Sequence, residues 1–250
     1  MIVFPMAGIS SRFTERGYSV PKFQLSIWNA YVFDFAVGSF VKFFESEKFL
    51  FIYRETGGAR LFIEDRVERL GIREAVLVEL KAATSGQAET VEVGLKAAGV
   101  SKMTPLTIFN IDTFRCPYLE LASSSSAFSG CLEVFRGSGD NWSFVKPDSN
   151  VPKLVSQTAE KQAISDLCSN GLYYFSSVDV FREALALERE MPSMSELYIA
   201  PIYNHLILRG HKVTFVEIQI DDIFFCGVPS EYEALSRREK PWRLNADRDG

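Results

Sequence analysis

Ile2-Val3-Phe4-Pro5-Met6-Ala7-Gly8-Ile9-Ser10-Ser11-Arg12-Phe13 opens the chain, and Lys22 follows nine residues later. An apolar strand runs here straight into a loop of small residues that carries two cations. Small residues let backbone amides approach a phosphate chain closely, and a guanidinium with an ammonium neutralises charge that develops as a P–O bond breaks. A plain strand-to-helix turn with two solvated cations is the competing reading, and a short glycine motif does not decide between them on its own.

Outward from this loop, strand and helix patterns alternate, which favours βα units and a mainly parallel sheet. The spacing predicts strands at Ile2–Phe4, Phe49–Tyr53, Ala75–Leu80 and Leu106–Asp112. It predicts helices over Tyr31–Phe44, over Ala59–Leu70 with Gly71 as a left-handed cap, and from Ala88 to Ala98 with Gly99 closing it. Thr84-Ser85-Gly86-Gln87 lies between a strand end and a helix start, where open α/β sheets bind ligands. Asp112 closes an apolar strand, and a hard oxygen ligand there suits Mg²⁺ bridging nucleotide phosphates. An ordinary turn aspartate is the plainer alternative.

From about residue 115 the pattern changes. Ser123–Ser126 is read as a loop, and Phe128–Phe135 with Trp142–Val145 as a hairpin around Gly137-Ser138-Gly139-Asp140. Further short strands are expected at Asp148–Val155, Ala163–Asp166 and Asn170–Phe175. Helices are expected from Ser176-x-x-Asp179 to Glu190 and from Ser195 to Arg209. Lys212–Ile220 is a last strand, Ser230 and Glu233 form a capping box for a final helix, and a polar tail occupies 236–250. The expected organisation is one domain over 1–235, with a first half (1–114) and a second half (115–235).

With 250 residues, 47% hydrophobic and 24% charged, the chain can bury a substantial core as one domain with a lobe. A net charge of -5 supplies no basic field for a nucleic-acid polymer, so any anion must be held locally. Cys116, Cys131, Cys168 and Cys226 are scattered, and with His205 and His211 they form no zinc spacing. They read as core thiols of a reducing compartment. No stretch approaches a membrane span or a signal peptide, so no membrane partner and a cytoplasmic location are expected.

Met6-Ala7-Gly8-x-x-Ser11-Arg12-Phe13 followed by Pro21-Lys22 resembles the signature of the sugar-phosphate nucleotidylyltransferases, the nucleoside-diphosphate-sugar pyrophosphorylases. The resemblance covers about residues 1–235. It implies an α/β fold with a Rossmann-like, mixed and mainly parallel sheet, the glycosyltransferase-A-like nucleotidyltransferase fold, with a β-rich acceptor lobe. It implies Arg12 and Lys22 as catalytic groups on the phosphates, and Ala7, Gly8, Ser10 and Ser11 in the nucleotide loop. Ser10 departs from the family pattern, which carries a second glycine there. Gly86 and Gln87 resemble the segment that contacts the base, with Gly86 admitting it and Gln87 bonding its edge. A plain helix start capped by Ser85 is the alternative.

The same resemblance assigns Lys161 of Glu160-Lys161, Asn170 and Gly171 of Asn-Gly-x-Tyr-x-Phe, and Glu196 with Tyr198 to the acceptor. Asp112 looks like the metal position, with Mg²⁺ as cofactor. Phe224-Phe225-Cys226-Gly227-Val228-Pro229-Ser230-Glu231 resembles the family's Asp-x-Gly-Thr-Pro-Glu-Asp segment, but Phe225 stands where many members have a second metal aspartate and Val228 replaces the threonine. Asp222 is the candidate replacement, weighed against a site with a single protein carboxylate completed by phosphates and water.

The implied reaction joins an NTP to a sugar phosphate or another small phosphorylated acceptor and releases pyrophosphate, in the context of surface-polysaccharide synthesis; a homo-oligomer is compatible with it. Two other functions compete. A nucleotide-sugar-dependent glycosyltransferase shares a similar nucleotide half, but it normally wants D-x-D where this chain has Asn110-Ile111-Asp112. A catalytically weak nucleotide-sensing protein would suit Ser10, Phe225 and Val228.

Overall fold

The computed structural model describes residues 1–116, 128–241 and 244. In chain order its elements are β1 (Ile2–Pro5), α1 (Ser11–Glu15), β2 (Ser26–Ile27), β3 (Ala30–Tyr31), α2 (Val32–Gly38), β4 (Lys48–Tyr53), α3 (Ala59–Leu70), β5 (Glu74–Glu79), α4 (Gln87–Ala97) and β6 (Leu106–Phe109). There follow β7 (Thr113–Arg115), β8 (Gly130–Arg136), β9 (Ser143–Pro147), β10 (Val155–Glu160), β11 (Leu167–Phe175), α5 (Val178–Glu190), α6 (Ile199–Leu208), β12 (Val213–Glu217), β13 (Ile223–Phe225) and α7 (Pro229–Ser236). These elements form an α/β fold whose segments alternate between two compact units.

One unit holds residues 2–83, the segment from 110 and the segment from 221. Its strands β1, β4 and β5 are parallel, with Ile2 opposite Phe49 and Lys48 opposite Glu74. Strands buried on both faces read as continuous apolar runs, and Ile2, Val3, Phe4 and Phe49 to Ile52 are fully buried. The Phe4 ring stacks on Phe51 at 5.5 Å and meets the edge of Phe40 at 5.9 Å, which anchors the strand feeding the signature loop. Strand β13 pairs antiparallel with β7, Phe225 opposite Thr113.

The other unit holds Met1, residues 84–109 and residues 128–220. Strand β11, buried at every position, is its axis. It pairs antiparallel with β6 and with β8, and through Cys168 with β9. β10 lies antiparallel to β9, and β12 parallel to β8. Gly171 takes φ 89° within the register shift of β11 against β8, a bulge conformation that glycine tolerates.

Several local expectations are corrected. β8 and β9 are not a hairpin: Cys168 pairs with Phe135 on one side and Phe144 on the other, so β11 separates them. A fully buried nine-residue strand needs partners along both edges, and this outweighs the turn chemistry of 137–140. Residues 163–166 form no strand, and 148–154 is a turn before β10. The helix expected over 31–44 stops at Gly38, where the Ser39 hydroxyl donates to Phe35 O and Phe40 N bonds Val37 O in a tighter turn. Ser177, not Ser176, caps α5, its hydroxyl accepting from Val180 N. Helix α6 begins at Ile199. Ala59–Leu70 and the left-handed Gly71 stand as expected. Ser123–Ser126 and most of the tail lie outside the described residues.

Candidate functional site

The signature loop is built where β1 runs out. Met6 N still bonds Ile52 O at 2.8 Å, so the parallel ladder holds the chain for one residue beyond the strand. Ala7 is buried, whereas Gly8 is exposed and a Cβ added to it would meet nothing within 4 Å. Packing among the described residues therefore does not demand this glycine, and the loop presents open backbone there. Ser10 is left-handed at φ 52° and ψ 36°, the conformation for which the family's glycine is suited. Its hydroxyl lies 3.4 Å from Lys22 N, which ties the loop to the lysine segment. Ser11 and Arg12 begin the short helix α1 and are exposed, and Arg12 has no ion-pair partner among the described residues. Phe13, buried beneath them, meets Tyr18 at 5.4 Å and Tyr232 at 6.3 Å.

Lys22 and Asp112, ninety positions apart, form an ion pair with Nζ 2.5 Å from Oδ2. Their side chains are 24% and 17% exposed, so the pair is largely shielded. Asp112 does not end β6, which stops at Phe109; it sits in the turn before β7. Its carbonyl accepts Cys226 N at 2.8 Å, and a Cβ on Gly227 would stand 3.3 Å from its Oδ2. Glu231 Oε2 accepts the N–H groups of Gly227 and Val228, at 2.9 and 3.2 Å. The capping box of α7 thus uses Glu231 instead of Glu233, whose carboxylate faces Tyr18 and Arg16. Burial raises the Glu231 pKa against the pull of these two amides, and Asp112 raises it further.

Asp222 is not brought to Asp112. Its carbonyl accepts Cys116 N, and its carboxylate lies 3.7 Å from Cys116 Sγ, at the opposite end of the β7–β13 ladder. Four residues of extended chain separate Cys116 from Asp112, about 13 Å at the rise of a strand. Phe225 faces Thr113 across the ladder and brings no carboxylate. Among the described residues no three His, Cys, Asp or Glu side chains gather as a metal cage.

The second set of candidates lies in the other unit. Gln87 is the first residue of α4 and is half-buried. Gly86 before it has φ 154°, and a Cβ there would fall 2.5 Å from Leu197 O and 2.6 Å from Leu197 N. Leu197 N donates to Ser85 O and Leu197 O accepts Ala88 N, both at 2.9 Å. Only glycine permits this close seam. Lys161, left-handed at φ 54°, donates from Nζ to Tyr198 Oη at 2.5 Å, and Tyr198 donates to Glu196 at 2.6 Å. These three form one exposed polar cluster, with the lysine also over the tyrosine ring.

Glu160 beside Lys161 bonds the Ser143 hydroxyl, which lies 3.3 Å from Tyr173 Oη. Burial raises the Glu160 pKa, while Ser143 and Lys161 partly oppose it. Asn170 and Gly171 are buried and do not join this cluster: Asn170 Nδ2 donates to Glu133 at 2.6 Å, and its Oδ1 accepts Leu172 N. The Leu197 seam and the contact of Gly227 with Asp112 are long-range backbone approaches, and no periodicity or motif announces them. Glu231 carried a signal, standing in the segment after Gly227-Val228-Pro229 that resembles the family's Glu-Asp.

No protein-family model and no curated protein matches the chain. Among solved structures it is 44% identical to the nucleoside-diphosphate-sugar pyrophosphorylase from Vibrio cholerae RC9, with a TM-score of 0.90 over 95% of this chain and 100% of that one. The inositol-1-phosphate CTP transferase from T. maritima is 16% identical with a TM-score of 0.71, covering 94% of each chain. UTP-bound UGPase from Acinetobacter baumannii is 12% identical with a TM-score of 0.69, covering 94% of this chain and 91% of that one. The last two share the fold. Identity of 44% along practically the whole of both chains, together with the loop from Met6 to Lys22, shows that this chain belongs to the nucleoside-diphosphate-sugar pyrophosphorylase family of nucleotidyltransferases.

Proposed function

We propose that Arg12 and Lys22 hold the triphosphate of an NTP over the Ala7–Ser11 loop while a sugar phosphate, or another small phosphorylated acceptor, attacks its α-phosphorus. An acceptor phosphate oxygen forms the new P–O bond, the bond between the α- and β-phosphates breaks, and pyrophosphate leaves with the electron pair. The nucleophile is already an anion, so positioning and charge neutralisation supply most of the acceleration and general-base help is not required. The observation that carries this reading is the Lys22–Asp112 pair, whose lysine segment is tied to the signature loop through the Ser10 hydroxyl. On this reading the pair offers a cation and a hard oxygen ligand to phosphates held at that loop.

The donor chemistry fits Mg²⁺. Asp112 is the residue that would hold it, with phosphates and water completing the coordination, since Mg²⁺ commonly takes one or two carboxylates. When bound, Mg²⁺ neutralises phosphate charge. Glu231 Oε2 is committed to two backbone amides and serves the turn that supports Asp112. Gly227→Ala presses a methyl against Asp112 Oδ2. It is expected to raise the Mg²⁺ concentration for half-maximal rate about threefold or more with little change in Tm, read from a Mg²⁺ titration of initial rates.

Lys161, Tyr198 and Glu196 form the acceptor cluster of this proposal, with the ammonium available to a phosphate. Gln87 reads the base edge from the start of α4. Gln87→Ala is expected to change the ranking of NTPs more than the maximal rate, because an amide recognises a base through a paired donor and acceptor. An unaltered ranking in competition assays would leave Gln87 as a helix-start residue only.

A pyrophosphate-release screen of the four NTPs against sugar 1-phosphates and other small phosphates tests the function. A glycosyltransferase would release none from an NTP, and a sensing protein would bind NTP without turnover. No described helix is long and apolar enough to cross a membrane. We place the reaction in the cytoplasm, where NTPs are available.

A further inference from the structure

The loop between α5 and α6 is held at both ends by groups that are not themselves candidate ligands for nucleotide or acceptor. At its start stands Glu188, 2% exposed, whose Oε1 accepts the backbone N–H of Ser193 at 2.7 Å and the Ser193 hydroxyl at 2.5 Å. Its Oε2 pairs with His205 Nε2 at 2.7 Å, and His205 is itself 8% exposed. A carboxylate so deeply buried is tolerated only when both oxygens are bonded, so the geometry of Ser193 is tightly specified. At its end stands Leu197, held by Ser85 O and Ala88 N over the unsubstituted Gly86. The residues flanking Leu197 are Glu196 and Tyr198, the partners of Lys161.

One short segment therefore carries two duties on alternate atoms: its backbone seats the loop of Gln87, and its side chains hold Lys161. The neighbour of Glu188 in α5 strengthens the arrangement. Arg189 reaches Glu92 at 2.7 Å and Glu89 at 3.5 Å on α4, and Glu89 accepts Ser85 N at 2.5 Å. The end of α5 thus grips both the 193–198 segment and the helix that begins at Gln87.

We propose that Ser193–Tyr198 is a shared seat for the nucleotide loop and the acceptor cluster, that Glu188 is its positioning residue, and that nucleotide and acceptor binding are energetically coupled through it. This rests on the roles proposed above for Gln87 and Lys161. Because Glu196, Leu197 and Tyr198 are consecutive, a ligand that fixes the segment in its bound geometry at one site fixes it at the other, and linkage requires the two effects to be equal.

The test uses the full chain, the NTP and sugar 1-phosphate that perform best in the pyrophosphate screen, and the α,β-methylene analogue of that NTP. Calorimetry gives the Kd of the analogue with and without the sugar phosphate, and the reverse. The wild type is expected to show mutual tightening of about tenfold in both directions. Ser193→Ala removes one donor from Glu188 and is the mild variant. Glu188→Gln keeps the shape and removes the charge. In both, the coupling factor is expected to fall towards one and the KM values of both substrates to rise about threefold or more, while Ser193→Ala retains the wild-type Tm within a few degrees. Gly86→Ala approaches from the nucleotide side. Its methyl displaces Leu197, so the acceptor KM is expected to rise about fivefold or more.

A merely structural clasp would lower Tm without moving the coupling factor. Normal pyrophosphate release by a wild type whose coupling factor is one, or a Gly86→Ala variant altered towards NTP alone, would overturn the shared seat and leave the reaction standing. Failure of the reaction itself shows differently, as no pyrophosphate from any NTP and acceptor pair.

Discussion

Lys22→Ala and Arg12→Ala are each expected to lower kcat by on the order of 10²-fold or more, about 2.7 kcal/mol of transition-state stabilisation, with the fold retained. Both cations act on charge that grows as the α–β bond breaks, so the loss falls on kcat as well as on NTP binding. For Arg12 the structural risk is small, because its side chain is exposed and no ion pair depends on it among the described residues. Lys22 is different, since its removal leaves the Asp112 carboxylate, only 17% exposed, without its ammonium. A fall in Tm is therefore expected alongside the rate loss, and added Mg²⁺ should recover part of it by occupying the freed oxygen. Lys22→Arg should fail as well, because a planar fork does not replace the compact ammonium that meets Asp112 Oδ2. Single-turnover rates with thermal unfolding as control make the check, and near-normal kcat in either alanine variant would sink the catalytic assignment.

Asp112→Asn should abolish measurable turnover at ordinary Mg²⁺, whereas Asp222→Asn should leave kcat within about twofold. The contrast follows from position. Asp112 meets Lys22 at 2.5 Å and its carbonyl holds Cys226 N, while Asp222 faces Cys116 at the far end of a three-residue ladder. An amide keeps the shape of Asp112 but loses the charge that both an ammonium and a hard divalent cation require. The double variant Lys22→Ala/Asp112→Asn is expected to be no worse than the poorer single one, because the two residues act as a unit and their effects do not add. Mn²⁺ binding followed by electron paramagnetic resonance gives a readout independent of turnover: Asp112→Asn should lose it and Asp222→Asn should keep it. Equal loss in both variants would mean that a second carboxylate reaches the metal.

The chain by itself determined what depends on neighbours in sequence. A buried apolar strand must empty into a turn, and Met6-Ala7-Gly8 with Arg12 and Lys22 marks that turn as the phosphate loop proposed above before any coordinate is known. Ala59–Leu70 and its cap at Gly71 were equally legible, because helical periodicity and the left-handed tolerance of glycine are local properties. The tertiary structure alone decided which distant groups meet. It seated Asp112 beyond β6 on Lys22, set Gly227 against that carboxylate, and turned Asn170 inward to Glu133. It also separated β8 from β9 by β11 despite a good turn sequence, and it passed Leu197 over Gly86. Each of these is settled by competition for burial and for backbone hydrogen bonds among segments tens of residues apart. Local propensity carries no information about the outcome of that competition.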